Sequence, residues 1–133
     1  MSQEQNSPTP ATMDFDALAS VEIQMTQQLV RGRNNRIQFE FPNFRVRSPS
    51  SGFPDQGRIE IVYTANREVM DPSSLEAYIA AYRQVTAFGE DVVNRIFDDL
   101  TAICSPRSLT VRGFFVSDGD LDLTVQASTE GNL

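Results

Sequence analysis

Glu90-Asp91-Val92-Val93-Asn94-Arg95-Ile96-Phe97-Asp98-Asp99-Leu100, continued by Ile103 and Cys104, decides the fold of this chain. Its apolar positions, 92, 93, 96, 97, 100 and 103, recur every three or four residues. That spacing predicts a helix over about Glu90–Ile103 with one apolar face. Ser105-Pro106 stops it, because proline cannot continue a helix. Two alternating stretches follow, Leu109–Val116 and Leu121–Ala127, with Asp118-Gly119 as a hairpin turn between them. A helix with one apolar stripe beside a hairpin implies a helix laid on an antiparallel sheet.

Towards the N-terminus, Asp71-Pro72 opens an earlier helix, with Pro72 suited to the first turn and Ser73/Glu76 at capping-box spacing. Leu75, Tyr78, Ile79 and Tyr82 share one face of it. Ile59, Ile61 and Tyr63 mark a strand. Ile37, Phe39 and Phe41 mark another, and Val21, Ile23 and Met25 a third that runs towards Val30. The turn-like Arg33-Asn34-Asn35 predicts that the first two strands form a hairpin. Pro42–Gln56, rich in Ser and Pro, reads as a long loop. Residues 1–15 read as a disordered tail and 16–133 as one domain. The predicted order is strand, strand, strand, helix, helix, strand, strand. This is an α+β fold with an antiparallel sheet and a helix pair on one face.

Composition narrows the chemistry. The chain has 133 residues, a net charge of −7 and no histidine. All eleven basic residues are arginine. Without histidine there is no Ser-His or Cys-His pair and none of the common histidine-bearing zinc sites. Without lysine there is no amine nucleophile. The acidic balance argues against direct binding to nucleic acid, which needs clustered basic residues. No apolar run reaches the ~20 residues of a membrane helix, and no signal peptide is read. A cytoplasmic location is expected, in keeping with the single cysteine, Cys104. At the end of an apolar helix face, Cys104 reads as a packing residue. Tyr78 and Tyr82 likewise read as packing. Asn94, Arg95, Asp98 and Asp99 read as a solvated face or as subunit contacts.

Three motifs then stand in order: Ser48-Pro49-x-x-Gly52-x-Pro54-Asp55, Glu90-Asp91-x-x-Asn94-Arg95-Ile96-x-Asp98-Asp99-Leu100, and Ser105-Pro106-Arg107-x-Leu109-x-Val111-Arg112-Gly113. Together they resemble the NADPH-dependent 7-cyano-7-deazaguanine (nitrile) reductases of queuosine biosynthesis. That resemblance implies the tunnelling fold (T-fold) and a ring-like homo-oligomer with pockets at subunit interfaces. It also implies a nucleophilic cysteine at position 48, a proton-transferring aspartate at 55, a histidine at 89 and a base-gripping glutamate at 90. A lysine-bearing nucleotide segment is implied over residues 71–78.

This chain has Ser48 and Gly89 at two of those positions and keeps Asp55 and Glu90. Ser73 and Glu76 stand where the family has lysines, with Ser74 between them. A serine hydroxyl is far less acidic than a thiol and needs an adjacent base. The expectation is a catalytically silent homologue that needs no cofactor. Ser48, Asp55 and Glu90 would bind a purine, deazaguanine or pterin, and Ser73, Ser74 and Glu76 would be a weakened NADPH segment. Bland readings stand beside these: Ser48 as a loop serine, Asp55 as a turn residue, and Glu90 as a first-turn carboxylate favoured by the helix dipole. An active reductase and a purely structural T-fold subunit remain the alternatives.

Overall fold

The computed structural model describes residues 12–28, 33, 35–52, 54–116 and 121–130. Its strands are β1 (Met25–Gln27), β2 (Arg36–Arg47), β3 (Pro54–Thr64), β4 (Glu68–Met70), β5 (Ser108–Val116) and β6 (Asp122–Ser128). Its α-helices are α1 (Pro72–Ala80) and α2 (Gly89–Cys104). Single 3-10 turns lie at Asp16–Ser20 and Ala81–Gln84. Four strands form one antiparallel sheet in the order β2-β3-β5-β6, and β1 and β4 form a separate pair. This is the expected α+β architecture of antiparallel strands and two helices, with β4 as a strand added before α1.

Alternation builds the main sheet. Ile59, Ile61 and Tyr63 of β3 and Leu109, Val111 and Phe115 of β5 are buried. They pack with Leu75, Tyr78 and Ile79 of α1 and with Val92, Val93, Ile96 and Leu100 of α2. Glu60 lies between the buried positions of β3 and pairs in register with Glu40 of β2 and Arg112 of β5. Like charges directly opposite repel. Ion pairs from Arg58 and, at 3.7 Å, from Arg112 to Glu60 offset that.

Several local expectations are corrected. The predicted first hairpin does not form: β1 pairs with β4, Met25 opposite Met70. β2 instead runs alongside β3 from Arg36↔Thr64 to Arg47↔Pro54. A long alternating partner offers β2 far more matched hydrogen bonds than the short 25–27 segment could. The chain before β1 turns to α1, with the Gln24 N–H on Ser74 Oγ at 2.8 Å and the Asp71 N–H on the Gln24 carbonyl at 2.8 Å.

The predicted loop at 42–56 shrinks to residues 48–53. β2 passes through Pro42 by a register shift between Phe41 and Phe44, which accommodates a residue without an N–H. The Ser73/Glu76 capping box gives way to Asp71. Its carboxylate accepts the Ser74 N–H at 2.9 Å, a side-chain N-cap with Pro72 behind it. Ile103 is 37% exposed, outside the apolar stripe it was assigned to.

At the N-terminus, Asp14 exchanges backbone hydrogen bonds with Thr86 at 2.8 and 3.0 Å, so paired structure reaches into the expected tail. Residues 1–11 and the Asp118-Gly119 turn lie outside the described residues, although β5 and β6 pair as the predicted hairpin. Ser105 ends α2 in a left-handed conformation at φ 40°. Among the described residues, no helix is long and apolar enough to cross a membrane.

Candidate functional site

The backbone brings Ser48, Asp55, Gly89 and Glu90 to one end of the sheet. Arg47, the last residue of β2, donates its N–H to the Val85 carbonyl at 2.9 Å and accepts from the Ala87 N–H at 3.1 Å. The 85–87 segment is thereby tied to β2 just ahead of α2. Ser48 follows Arg47, and Asp55 faces Val46 across the β2–β3 register.

Ser48 is 7% exposed. Its hydroxyl lies 3.1 Å from the hydroxyl of Ser50 and accepts the Ser50 N–H at 3.3 Å. Its carbonyl accepts the Gly52 N–H at 2.8 Å. Gly52 has φ +77°, a conformation open to glycine and strained for other residues. The Ser48 loop is therefore a closed turn whose hydroxyl serves the turn itself.

Across from it, Phe88, the N-cap of α2, offers no side-chain acceptor of its own to the first-turn N–H groups. Those donors and the positive end of the helix dipole lie beside the exposed carboxylate of Glu90. The Phe88 ring is 50% exposed, an unusual fate for phenylalanine and suited to stacking on a flat ring. None of the three sequence motifs includes Phe88. An aromatic residue immediately outside an amphipathic helix is the signal that could have marked it.

Ser73, Ser74 and Glu76 lie elsewhere, in the first turns of α1. Ser74 is committed: its hydroxyl accepts from Gln24 and donates to the Asp71 carbonyl at 2.9 Å. Ser73 and Glu76 are exposed. Glu76 borders a cavity of ≈ 220 Å³ together with Phe44, Arg45, Ile79 and Arg83. That is below the ~300–1,000 Å³ typical of small-molecule sites, and a carboxylate stands on its rim. Ser73, Ser74 and Glu76 supply no positive charge for a dinucleotide phosphate; the cations at this cavity are Arg45 and Arg83. A second cavity, of ≈ 570 Å³, lies between the N-terminal segment and α2, beside Phe15, Tyr78, Arg95 and Asp99. Neither cavity is lined by Ser48, Asp55, Gly89 or Glu90.

On the polar side of α2, Asn94 and Asp98 are exposed, as a solvated face requires, whereas Arg95 and Asp99 are engaged within the chain. Arg95 Nε donates to both Asp99 oxygens, at 3.0 and 3.2 Å, and the Tyr78 hydroxyl donates to Asp99 Oδ2 at 2.6 Å. The period of α2 hides this, because Asp99 reaches a buried phenol on the neighbouring helix. Cys104 is buried, as expected, with its thiol on the Leu100 carbonyl at 3.0 Å.

A four-stranded antiparallel sheet backed by a helix pair, with loop and helix-start residues gathered at one end, is the architecture of a tunnelling fold. The sequence model of the family described as QueF-like protein matches residues 54–132. The chain is 35% identical over 95 residues to the NADPH-dependent 7-cyano-7-deazaguanine reductase of Microcystis aeruginosa, covering 71% of this chain and 72% of that protein. It is 38% identical over 96 residues to the protein of the same name from Chlorobium luteolum, covering 72% and 83%. The solved apo structure of the archaeosine synthase QueF-Like superposes with a TM-score of 0.69 at 15% identity, covering 76% of this chain and 99% of that one. That last likeness establishes the fold. The chain belongs to the QueF-like family. The span matched by the family model includes Asp55, Gly89 and Glu90 and begins after Ser48.

Proposed function

We propose that this QueF-like chain recognises a purine-like base (a deazaguanine, guanine or pterin) without reducing a nitrile. The observation that carries the reading is the state of Ser48. Its buried hydroxyl is held by Ser50, and the sequence contains no histidine or lysine to deprotonate it. Nucleophilic attack on a nitrile carbon needs an anionic or base-activated atom. Recognition needs less. The Glu90 carboxylate can accept two N–H donors from the edge of a base, and Phe88 can stack on its face. With no NADPH fit at Glu76 and Ser74, no hydride step is assigned.

The same reading has the chain acting as a homo-oligomer. Among the described residues β6 pairs only with β5, and Val116, Leu121 and Leu123 at that end are 56%, 71% and 44% exposed. A sheet-edge strand with exposed apolar neighbours asks for a partner. A second copy would also enclose the open end where Glu90 lies.

Calorimetry with 7-cyano-7-deazaguanine, guanine and a pterin is the test, run beside NADPH oxidation. Binding of at least one base, weakened about 10–100-fold by Glu90→Gln through loss of charge-assisted hydrogen bonds, is the expected result. Absence of binding by all three removes the reading. NADPH turnover above that of Glu90→Ala replaces it with the reductase.

A further inference from the structure

Phe115 touches every segment that carries the candidate site. Its ring lies 6.2 Å, edge to face, from the ring of Phe44 on β2, the strand that leads to Ser48. A Cβ on Gly57, two residues after Asp55, would lie 3.1 Å from its Cδ1 and 2.5 Å from the Phe114 carbonyl oxygen. On Gly89, next to Glu90, a Cβ would lie 2.7 and 2.8 Å from its Cδ2 and Cε2. On Gly113 it would lie 2.6 Å from its Cε2 and 2.6 Å from Val93 Cγ2. Carbon atoms pack at about 3.5–4.0 Å, so the ring is seated directly on bare backbone. Phe115 is 6% exposed. One rigid ring therefore spaces β2, β3 and the first turn of α2.

We propose that Phe115 is the positioning residue of this end of the fold. Through the bare backbone of Gly89, its ring fixes the first turn of α2, and with it Glu90, relative to Ser48 and Asp55. The role in ligand binding rests on the base-recognition reading above. The control of the α2 first turn does not. Gly89 then has a physical reason to be glycine here: any side chain at 89 competes with the ring for the same volume.

The experiment uses the full chain as wild type, Phe115→Leu, Gly89→Ala and the double variant, with Phe115→Met in reserve should Leu fail to fold. Amide hydrogen exchange is read at Val92, whose N–H bonds the Phe88 carbonyl at 3.0 Å, and at Ile61 and Val111 in the sheet centre. Guanine affinity is read by calorimetry. The expected result for Phe115→Leu is exchange at Val92 faster by about tenfold or more with the sheet centre unchanged, and guanine affinity down about fivefold or more. Gly89→Ala should show a similar defect, and the double variant should recover part of it, because the smaller residue 115 makes room for the methyl. Such non-additivity is the mark of direct contact.

Unchanged exchange at Val92 overturns the proposal, as do additive defects. Faster exchange with unchanged affinity overturns the role in binding. If wild type binds no base, the proposed function fails on its own, and the exchange data alone decide whether Phe115 holds the turn.

Discussion

The Tyr78 hydroxyl donates to Asp99 Oδ2 at 2.6 Å, with the hydroxyl of Tyr82 2.7 Å away. This relay ties α1 and the turn after it to the middle of α2. The other Asp99 contact, from Arg95, brings in the N-terminal segment, since the Arg95 guanidinium stands 5.0 Å from the ring of Phe15. The ring series continues from Tyr78 through Tyr82 to Phe44 and Phe115, with neighbouring centroids 5.4, 5.5 and 6.2 Å apart. A single packed aromatic row thus runs from the outer helix layer to the end that carries Glu90.

Tyr78→Phe should lower stability by about 1–3 kcal/mol, because it leaves the buried Tyr82 hydroxyl without its partner and removes a charge-assisted bond from Asp99. Asp99→Asn should cost a comparable amount by weakening the contacts from both Tyr78 and Arg95. Urea unfolding checks both. The midpoint should fall with the slope unchanged, since the surface exposed on unfolding stays the same.

Alkaline pH should unfold this chain in concert with ionisation of its tyrosines. Tyr63, Tyr78 and Tyr82 are the only three, and burial raises the pKa of each above the ordinary value of 10. Burial also pushes the Cys104 thiol up to about 11. A raised pKa means that the unfolded chain releases these protons first. Stability is therefore full below about pH 8, where the unfolded thiol begins to ionise, and falls as pH rises, by up to about 1.4 kcal/mol per pH unit for each group. Phenolate absorbance at 295 nm should appear only as the circular dichroism of the fold is lost. A gradual titration near pH 10 with the fold intact would contradict the burial.

The parts of this fold legible in the sequence are those with many residues in phase. The α2 stripe and the β5–β6 hairpin are fixed by repeated spacing, and their predicted ends lie within a residue or two of the observed ones. The β1–β4 pair is not legible. Each strand is three residues long, the alternation at Val21, Ile23 and Met25 does not name a partner, and the pairing depends on Ser74 and Asp71 gripping Gln24. Pro42 misleads for a similar reason: composition says loop, while a register shift lets β2 continue. Of the site, Ser48, Asp55, Gly89 and Glu90 are visible through motif resemblance. Phe115 is not, because its partners are glycines. Gly57, Gly89 and Gly113 are a signal of close approach only once one ring is seen to rest on all three.

Ser48→Cys should convert the chain into one that captures a nitrile but does not reduce it. Addition of the thiolate across the carbon–nitrogen triple bond of 7-cyano-7-deazaguanine gives a thioimide, and the protein gains the whole mass of the nitrile. Intact mass spectrometry should show that adduct in Ser48→Cys and none in wild type. Because the thiolate is the nucleophile and an unperturbed thiol titrates near ~8.5, adduct formation should quicken by about tenfold per unit between pH 6.5 and 8. Added NADPH should not be consumed, since Gly89 offers no acid and Ser73 and Glu76 offer no phosphate partner. Consumption of NADPH by this variant would show that the nucleotide site survives in another form.

Replacing Leu123 with lysine tests the edge of the sheet. Leu123 sits on β6 opposite Phe115 and is 44% exposed, so the substitution removes little of the buried core. Its effect on the monomer should stay within about 0.5–1 kcal/mol, as for surface positions generally. A positive charge on an edge strand is a natural way to block pairing with another strand. Assembly should therefore fail while the fold persists. Sedimentation velocity is expected to show an oligomer for wild type and a species near the monomer mass for Leu123→Lys, with unchanged far-ultraviolet circular dichroism. Guanine binding should weaken together with assembly, because the Glu90 end is open in the single chain and neither cavity described above reaches it. A monomeric wild type with full affinity would place the complete pocket within one chain, and the exposed Phe88 would then have to cover the base without a second copy.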